Sequence, residues 1–271
     1  MSDPRRSVLP VRSSVDIAAG PGFVISSVTC RDDHARWSEP EAAGSYRVVL
    51  VRRGRFRRRS RSGVADVDPT TAYLGVPGEE EVFAHPAGGD VCTAVSVSRA
   101  LWRSLGTVAA PALYVDARLD LAHRRLLAAA RAEDHDFALA EQLVRLLGSA
   151  LAAPVHPVPG EYALVGRARS VIHDGHPAAG GLVPLAAHLG VSPYRLSRVF
   201  PRVVGVSLTR YRNRVRVGRA LDRIEQGEER LTDLAAELGF ADQAHLSRTV
   251  REHVGETPSA LRGALGRRPG R

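Results

Sequence analysis

Arginine is the residue type in this chain with the most recognition chemistry on offer. All 38 basic residues of the 271 are arginine and the formal net charge is +9. Coding bias explains the choice of arginine over lysine, so position matters more than number. A guanidinium fork grips guanine O6 and N7, or a phosphate, with two parallel hydrogen bonds. Two arginines recur at matched places in a segment that occurs twice. Leu185, Ala186, Ala187, Leu189 and Gly190 match Leu234, Ala235, Ala236, Leu238 and Gly239. After one inserted residue, Leu196, Ser197, Arg198 and Gly205 match Leu246, Ser247, Arg248 and Gly255. A repeat of this size marks one supersecondary unit used twice. Here the unit is helix, glycine-containing turn, helix with an arginine, the pattern of a helix-turn-helix that enters a DNA major groove.

Helical spacing sorts each unit into a core and an outer face. Leu185, Ala186, Leu189, Val191, Leu196, Val199 and Phe200 are the predicted core of the first unit, which leaves Tyr194, Arg195, Ser197, Arg198 and Arg202 outside. Leu231, Leu234, Ala235, Leu238, Phe240, Leu246 and Val250 are the predicted core of the second. Gln243, His245, Ser247, Arg248 and Arg251 then remain outside, and glutamine suits adenine N6 and N7. A helix over 207–226 joins the units and carries Arg210, Arg212, Arg214, Arg216, Arg219 and Arg223. Its length of about 30 Å is close to the roughly 34 Å between successive major-groove turns. Most of these connector arginines are expected on a solvated face or in ion pairs. Charge follows the repeat: residues 1–160 hold 20 arginines against 18 acids, and residues 161–271 hold 18 against 11. A basic C-terminal portion suits phosphate neutralisation. A helical bundle that binds protein would have no need of this asymmetry.

Other chemistry is sparser. A metal-dependent barrel enzyme would need a close histidine and carboxylate cluster such as His-x-His, and the β-rich part of the chain has no such pair. No catalytic residues and no cofactor are therefore expected. Cys30, His34, His85 and Cys92 would suit tetrahedral zinc or thiol redox sensing if the fold gathered them. A small buried cysteine and a capping histidine are the ordinary alternative. Arginines 52, 53, 55, 57, 58, 59 and 61 crowd one hairpin and read as a solvated edge strand that discourages aggregation.

The elements that must position these groups fall into two textures. Residues 1–20 read as irregular. Residues 23–97 hold short strands between Gly and Pro signals, including FVISSVTC, YRVVLVRRG, GRFRRRSRSG, DPTTAYLGVPG and CTAVSVS, as in a barrel or jelly roll. Helical spacing follows over 116–133 and 136–152. In the second of these, Leu139, Leu143, Leu146, Leu147 and Leu151 form a stripe that fits either a dimer face or packing on the chain's own barrel. PVHPVPG, 154–160, reads as a stiff linker. Seven helices are then predicted, over 161–174, 182–189, 193–203, 207–226, 231–238, 242–253 and 258–264. No apolar run is long enough for a membrane span, no signal peptide is evident, and two cysteines make no disulfide framework; a cytoplasmic location is expected.

Residues 182–262 resemble the DNA-binding domain of the AraC family of bacterial transcription regulators. The resemblance rests on SPYRLSRVF, Gly205–Ser207, YRNRVRVGRAL and, most closely, LTDLAAELGFADQAHLSRTVREHVGETPSALR. It implies two helix-turn-helix motifs on one long helix, with base contacts from Tyr194, Ser197 and Arg198 in the first and from Gln243, Ala244 and Arg248 in the second. Ala244 offers only apolar contact. Two residues depart from the family pattern. Pro201 stands where a basic residue is usual and removes an N–H within the recognition helix; Val250 replaces a usual Phe. Residues 23–97 more loosely resemble the cupin-like barrel that precedes this domain in the family. The expected fold is α+β and multidomain: a cupin-like sensor and dimerisation domain over 1–153 (barrel about 20–98, helices about 99–153), the linker, and an all-α DNA-binding domain over 161–265. The expected function is a sequence-specific regulator of transcription. Its expected partners are double-stranded DNA, a small-molecule effector in the barrel, RNA polymerase and a second copy of the chain, with no membrane. A barrel that serves only assembly or protein contact is the alternative.

Overall fold

The computed structural model describes residues 12–20, 22–31, 33, 35–104, 112–131, 139, 142–143, 146–147, 161–228 and 230–265. The chain divides between Leu113 and Tyr114 into two compact units.

The N-terminal unit is built from antiparallel strands in two sheets, the arrangement expected of a cupin-like barrel. They are β1 Arg12–Gly20, β2 Phe23–Cys30, β3 Glu41–Ala42, β4 Tyr46–Arg53, β5 Phe56–Ser60, β6 Gly63–Val67, β7 Thr71–Gly75, β8 Glu80–Ala84, β9 Asp90–Val97 and β10 Ala112–Tyr114. One sheet has the order β1-β2-β9-β4-β7-β10 and the other β3-β8-β5-β6. Val49, Val51, Phe56, Val67, Tyr73, Phe83 and Cys92 fill the space between them. A helix, α1 Arg99–Ser104, follows β9.

Two readings of this unit need correction. Arg12–Gly20 is a strand paired along β2, not irregular chain. It lies at a sheet edge with most of its side chains exposed, so it has no apolar alternation to betray it. The arginine-rich β5 is not an edge strand either: it pairs with β6 on one side and β8 on the other. Phe56 and Arg58 point inward. Arg58 Nη2 lies 2.6 Å from Glu81 Oε1, and its guanidinium stands over the Tyr73 ring. Arg57 and Arg59 point the other way, and both guanidinium groups lie over Trp37.

The C-terminal unit is helical: α2 Ala117–Ala129, α3 Tyr162–His173, α4 Leu182–His188, α5 Pro193–Val204, α6 Leu208–Glu225, α7 Leu231–Glu237, α8 Gln243–Val254 and α9 Pro258–Leu265. The predicted helices beyond residue 160 stand at these places to within a residue or so, with a short 3-10 turn, Pro177–Gly180, added. The long helix α6 serves two cores. Tyr211 and Val215 enter one with α3, α4 and α5. Val217, Ala220, Leu221 and Ile224 enter the other with α7, α8 and α9.

Helix α2, expected with the N-terminal barrel, packs in the second of these cores through Ala117 and Leu121. Its polar residues explain the attachment. Asp120 lies 3.1 Å from Arg214 of α6, whose guanidinium is only 2% exposed and also donates to the Val115 carbonyl. Arg124 spans to Asp120, Asp222 and Glu225, and Arg125 reaches Glu256. Of the leucine stripe, Leu139, Leu143, Leu146 and Leu147 are buried within the single chain, so they form no exposed dimer face. Leu151 and the 154–160 linker lie outside the described residues.

Burial alone would raise the Asp120 carboxyl, but Arg124 and Arg214 outweigh it and hold the group below the usual carboxylate range. Asp222, which shares Arg124, is raised by burial. The lowered Asp120 value means that this pair stabilises the fold above the ordinary carboxylate pKa of about 3.9. The contribution is lost as pH falls through the lower folded value. Asp120→Asn leaves Arg214 buried with a weaker partner and should cost about 3 kcal/mol or more at pH 7. Urea denaturation of both proteins should show that gap full at neutral pH and shrinking below about pH 4.

Candidate nucleic-acid interface

The two repeats fold into the same device. Each has a short first helix, α4 or α7, a turn, and a 12-residue second helix, α5 or α8. Gly190 and Gly239 stand in the turns with φ of 69° and 73°, a left-handed conformation that side chains disfavour. The inserted residue lies in the second turn, which runs from Leu238 to Asp242 where the first runs from Leu189 to Ser192. Both second helices begin on a side-chain cap. Arg195 N–H donates to Ser192 Oγ at 3.1 Å, and His245 N–H donates to Asp242 Oδ1 at 2.6 Å. Both end on a left-handed glycine, Gly205 or Gly255, whose N–H returns to the Pro201 or Arg251 carbonyl. Each next helix is then capped by Ser207 or Thr257. The structural repeat therefore extends beyond the matched letters.

Inward, α5 presents Leu196, Val199 and Phe200, and α8 presents Leu246, Thr249, Val250 and Val254. Outward, the two faces differ. On α5, Tyr194, Arg195, Ser197, Arg198 and Arg202 are exposed. Arg198 Nη1 donates to the Tyr194 hydroxyl at 2.8 Å, and its guanidinium also lies over the Tyr194 ring, so the two side chains present one surface. Ser197 Oγ donates to the Tyr194 carbonyl. Arg202 is paired with Glu161. On α8, Gln243, Ala244, Arg248 and Arg251 are exposed and Ser247 is half-buried. Thr232 Oγ1 lies 3.0 Å from Gln243 Oε1 and fixes that amide at the mouth of the turn. His245, expected outside, is spent on the turn instead: Ala241 N–H donates to its Nδ1, and its ring meets Phe240 edge-on.

Pro201 does not interrupt α5, which continues from Pro193 to Val204. Its ring occupies the third turn, where the helix can end within four residues. Val250 is fully buried.

The connector arginines are mostly not a solvated face. Arg214 is buried as described. Arg216 donates Nε–H to the Leu238 carbonyl at the end of α7, and its guanidinium lies 3.6 Å from the centre of the Phe240 ring. Burial, with the nearby charge of Arg212, brings Arg216 down to about 10, so it stays charged at neutral pH. Sequence reasoning missed this residue as a support for the second turn. Arg219 holds the His173 carbonyl at 2.6 Å. Arg223 pairs with Glu228 and Glu237. Arg210 is exposed and Arg212 half-buried at the start of the helix.

Residues 185–264 match the family model described as a helix-turn-helix domain. Over 82 residues the chain is 30% identical to an uncharacterized helix-turn-helix transcriptional regulator of Staphylococcus aureus, a match that covers 30% of this chain and 11% of that one. Over 81 residues it is 28% identical to the arabinose operon regulatory protein of Escherichia coli, covering 30% of this chain and 28% of the relative. The chain thus spans under a third of the length of these curated relatives. Among solved structures, ToxT of Vibrio cholerae aligns over 90% of this chain and 99% of its own, at 10% identity and a TM-score of 0.35. The C-terminal domain of AraT from Geobacillus stearothermophilus aligns over 40% of this chain and 90% of its own, at 24% identity and a TM-score of 0.37. Likenesses at those TM-scores carry no functional weight. No helix among the described residues is long and apolar enough to cross a membrane.

The two side-chain caps set the start of each second helix. Asp242→Ala should cost about 1 kcal/mol. Hydrogen exchange should locate the loss as faster exchange in the first turn of α8, with α5 unchanged; Ser192→Ala should give the converse.

Proposed function

We propose that this chain, whose residues 185–264 form a helix-turn-helix domain of the AraC type, is a transcription regulator that reads two neighbouring major-groove segments of one DNA duplex. One observation carries the reading: two helices with the same caps, ends and buried stripe hold Arg198 and Arg248 at equivalent exposed positions. Nothing in the core needs that pairing, whereas a DNA groove does. In this reading Tyr194, Arg195, Ser197 and Arg198 face one segment, and Gln243, Ala244, Ser247, Arg248 and Arg251 face the next. Connector α6 is 18 residues, or about 27 Å, close to one turn of the duplex. Arg210 and Arg212 are the connector residues left to meet phosphate.

The two faces favour different bases. Arg248 stands unobstructed beside the methyl of Ala244, which suits a guanine next to a thymine methyl. Arg198 meets DNA as a pair with Tyr194. Each chain then reads an asymmetric site. The protein is proposed to act in the cytoplasm, with the N-terminal unit modulating this reading through a small effector and through assembly with a second copy or with RNA polymerase. The apolar cluster between its sheets favours a second reading for that unit, in which it serves assembly without an effector. No catalytic role is proposed for either unit.

The full-length protein should shift duplex DNA selected from a random pool, and a genome-wide map of bound sites should return the same asymmetric motif. Arg248→Ala should lower specific affinity by about 1–3 kcal/mol and relax selection at one base position. Non-specific affinity should change much less. Equal loss on both kinds of DNA, with the salt slope reduced by about one, would reassign Arg248 to phosphate. Absence of any salt-dependent duplex binding would end the DNA reading.

A further inference from the structure

One buried cluster in the N-terminal unit is used by none of this. Cys30 ends β2 and lies directly across from Asp90, the first residue of β9. Cys92, two residues along β9, shares a strand face with Asp90. His85 stands just beyond β8, where the Gly88 N–H closes a turn onto its carbonyl. Two glycines press this turn onto the strand ends. A Cβ on Gly89 would come within 2.3 Å of the Cys30 carbonyl oxygen, and one on Gly54 within 2.4 Å of the Gly89 oxygen.

The side chains converge. Cys30 Sγ is 3.9 Å from His85 Nδ1, His85 Nε2 is 3.0 Å from Asp90 Oδ1, and Cys92 Sγ is 2.8 Å from Asp90 Oδ2. The ligand atoms of Cys30, His85 and Asp90 all lie within 4.8 Å of one another. None of the four residues is more than 9% exposed. Asp90 Oδ1 is buried and makes no hydrogen bond, although His85 Nε2 is beside it. The two polar atoms are thus at contact distance without an aligned N–H between them. An ionised buried carboxylate needs a cation or a set of donors. Among the described residues, this one has only an imidazole edge and a thiol.

The geometry points to a divalent metal site of the zinc class, held by Cys30, His85 and Asp90. A sulfur, an imidazole nitrogen and a carboxylate oxygen are donors that zinc accepts in tetrahedral form, with the fourth position left to water or another small donor. With bonds of about 2.0–2.3 Å the ligand atoms would stand roughly 3.3–3.8 Å apart, and one atom from each of the three residues already lies within 4.8 Å of the other two. The Cys92 thiol lies against the other carboxylate oxygen, Asp90 Oδ2, and supports that ligand from behind. The site ties β2, β9 and the turn after β8 together. The sequence offered Cys30, His34, His85 and Cys92 as candidates. His34 lies outside the described residues, and cross-strand register brings Asp90 beside Cys30 and His85.

The test is cobalt(II) titration of the reduced, metal-stripped full-length protein. Uptake should saturate near one equivalent per chain, with sulfur-to-cobalt charge transfer and the intense visible bands of tetrahedral coordination, both displaced by zinc. Cys30→Ser should abolish the charge transfer, while Cys92→Ser should leave it in place. Asp90→Asn should weaken cobalt binding by at least the roughly 10–100-fold that loss of a supporting residue costs. An octahedral spectrum, uptake well below one equivalent in the wild-type protein, or charge transfer unchanged in Cys30→Ser would overturn the site. The wild-type titration decides the matter even if a variant fails to fold, and its outcome is independent of DNA binding.

Discussion

A guanidinium cannot lose its charge on burial as a lysine can, so the site that buries Arg214 has to be built around it. Its Nη2 faces Asp120, its Nε–H meets the Val115 carbonyl, and Gly218 one turn on leaves it room, since a Cβ there would lie 2.7 Å from Nη1. A glycine inside a helix costs about 1 kcal/mol relative to alanine; here it makes space for the ion pair. The charge sits where α6 passes from one core to the other, between Tyr211 and Val215 on one side and Val217 and Leu221 on the other. Because both cores grip the same rigid rod, the axial offset between the repeats is set by helix geometry and not by a loop.

On that rod the repeats are alike in backbone and unlike in surface. Caps, turn glycines and terminal glycines coincide, because they answer the same need to start and stop a helix in a small space. The outer faces answer to something else. One pairs a tyrosine with an arginine; the other sets an arginine beside an alanine and a glutamine whose amide is held by Thr232.

What the sequence disclosed follows from the range of the interactions involved. The helices after residue 160 and the share of both cores that the two repeats supply were legible, since 3.6-residue periodicity acts within a few residues. So was the outward placement of Arg198 and Arg248. Strand β1 was not legible, because its stability comes from pairing with β2 and its side chains carry no pattern. Arg58 was read as part of a solvated edge strand, and Arg214 as one of the connector arginines on a solvated face or in ion pairs; only tertiary partners distant in sequence, Glu81 and Asp120, make their burial tolerable. Arg216 was missed as a support of the second turn because the ring and carbonyl it holds lie 24 and 22 residues away. Asp90 escaped notice for a related reason: cross-strand register, not spacing along the chain, sets it opposite Cys30.

The attachment of α2 changes where the helix-turn-helix half begins. The proline-rich stretch at 154–160 looks like the natural place to cut, and residues 161–265 look like a complete module. Yet Ala117 and Leu121 are part of the core that seats α8, and Asp120 is the counter-ion of Arg214. Autonomy in this protein therefore does not coincide with continuity of the chain. A piece that starts after the prolines would keep every candidate base-reading residue but would leave one core open and a buried charge without its partner.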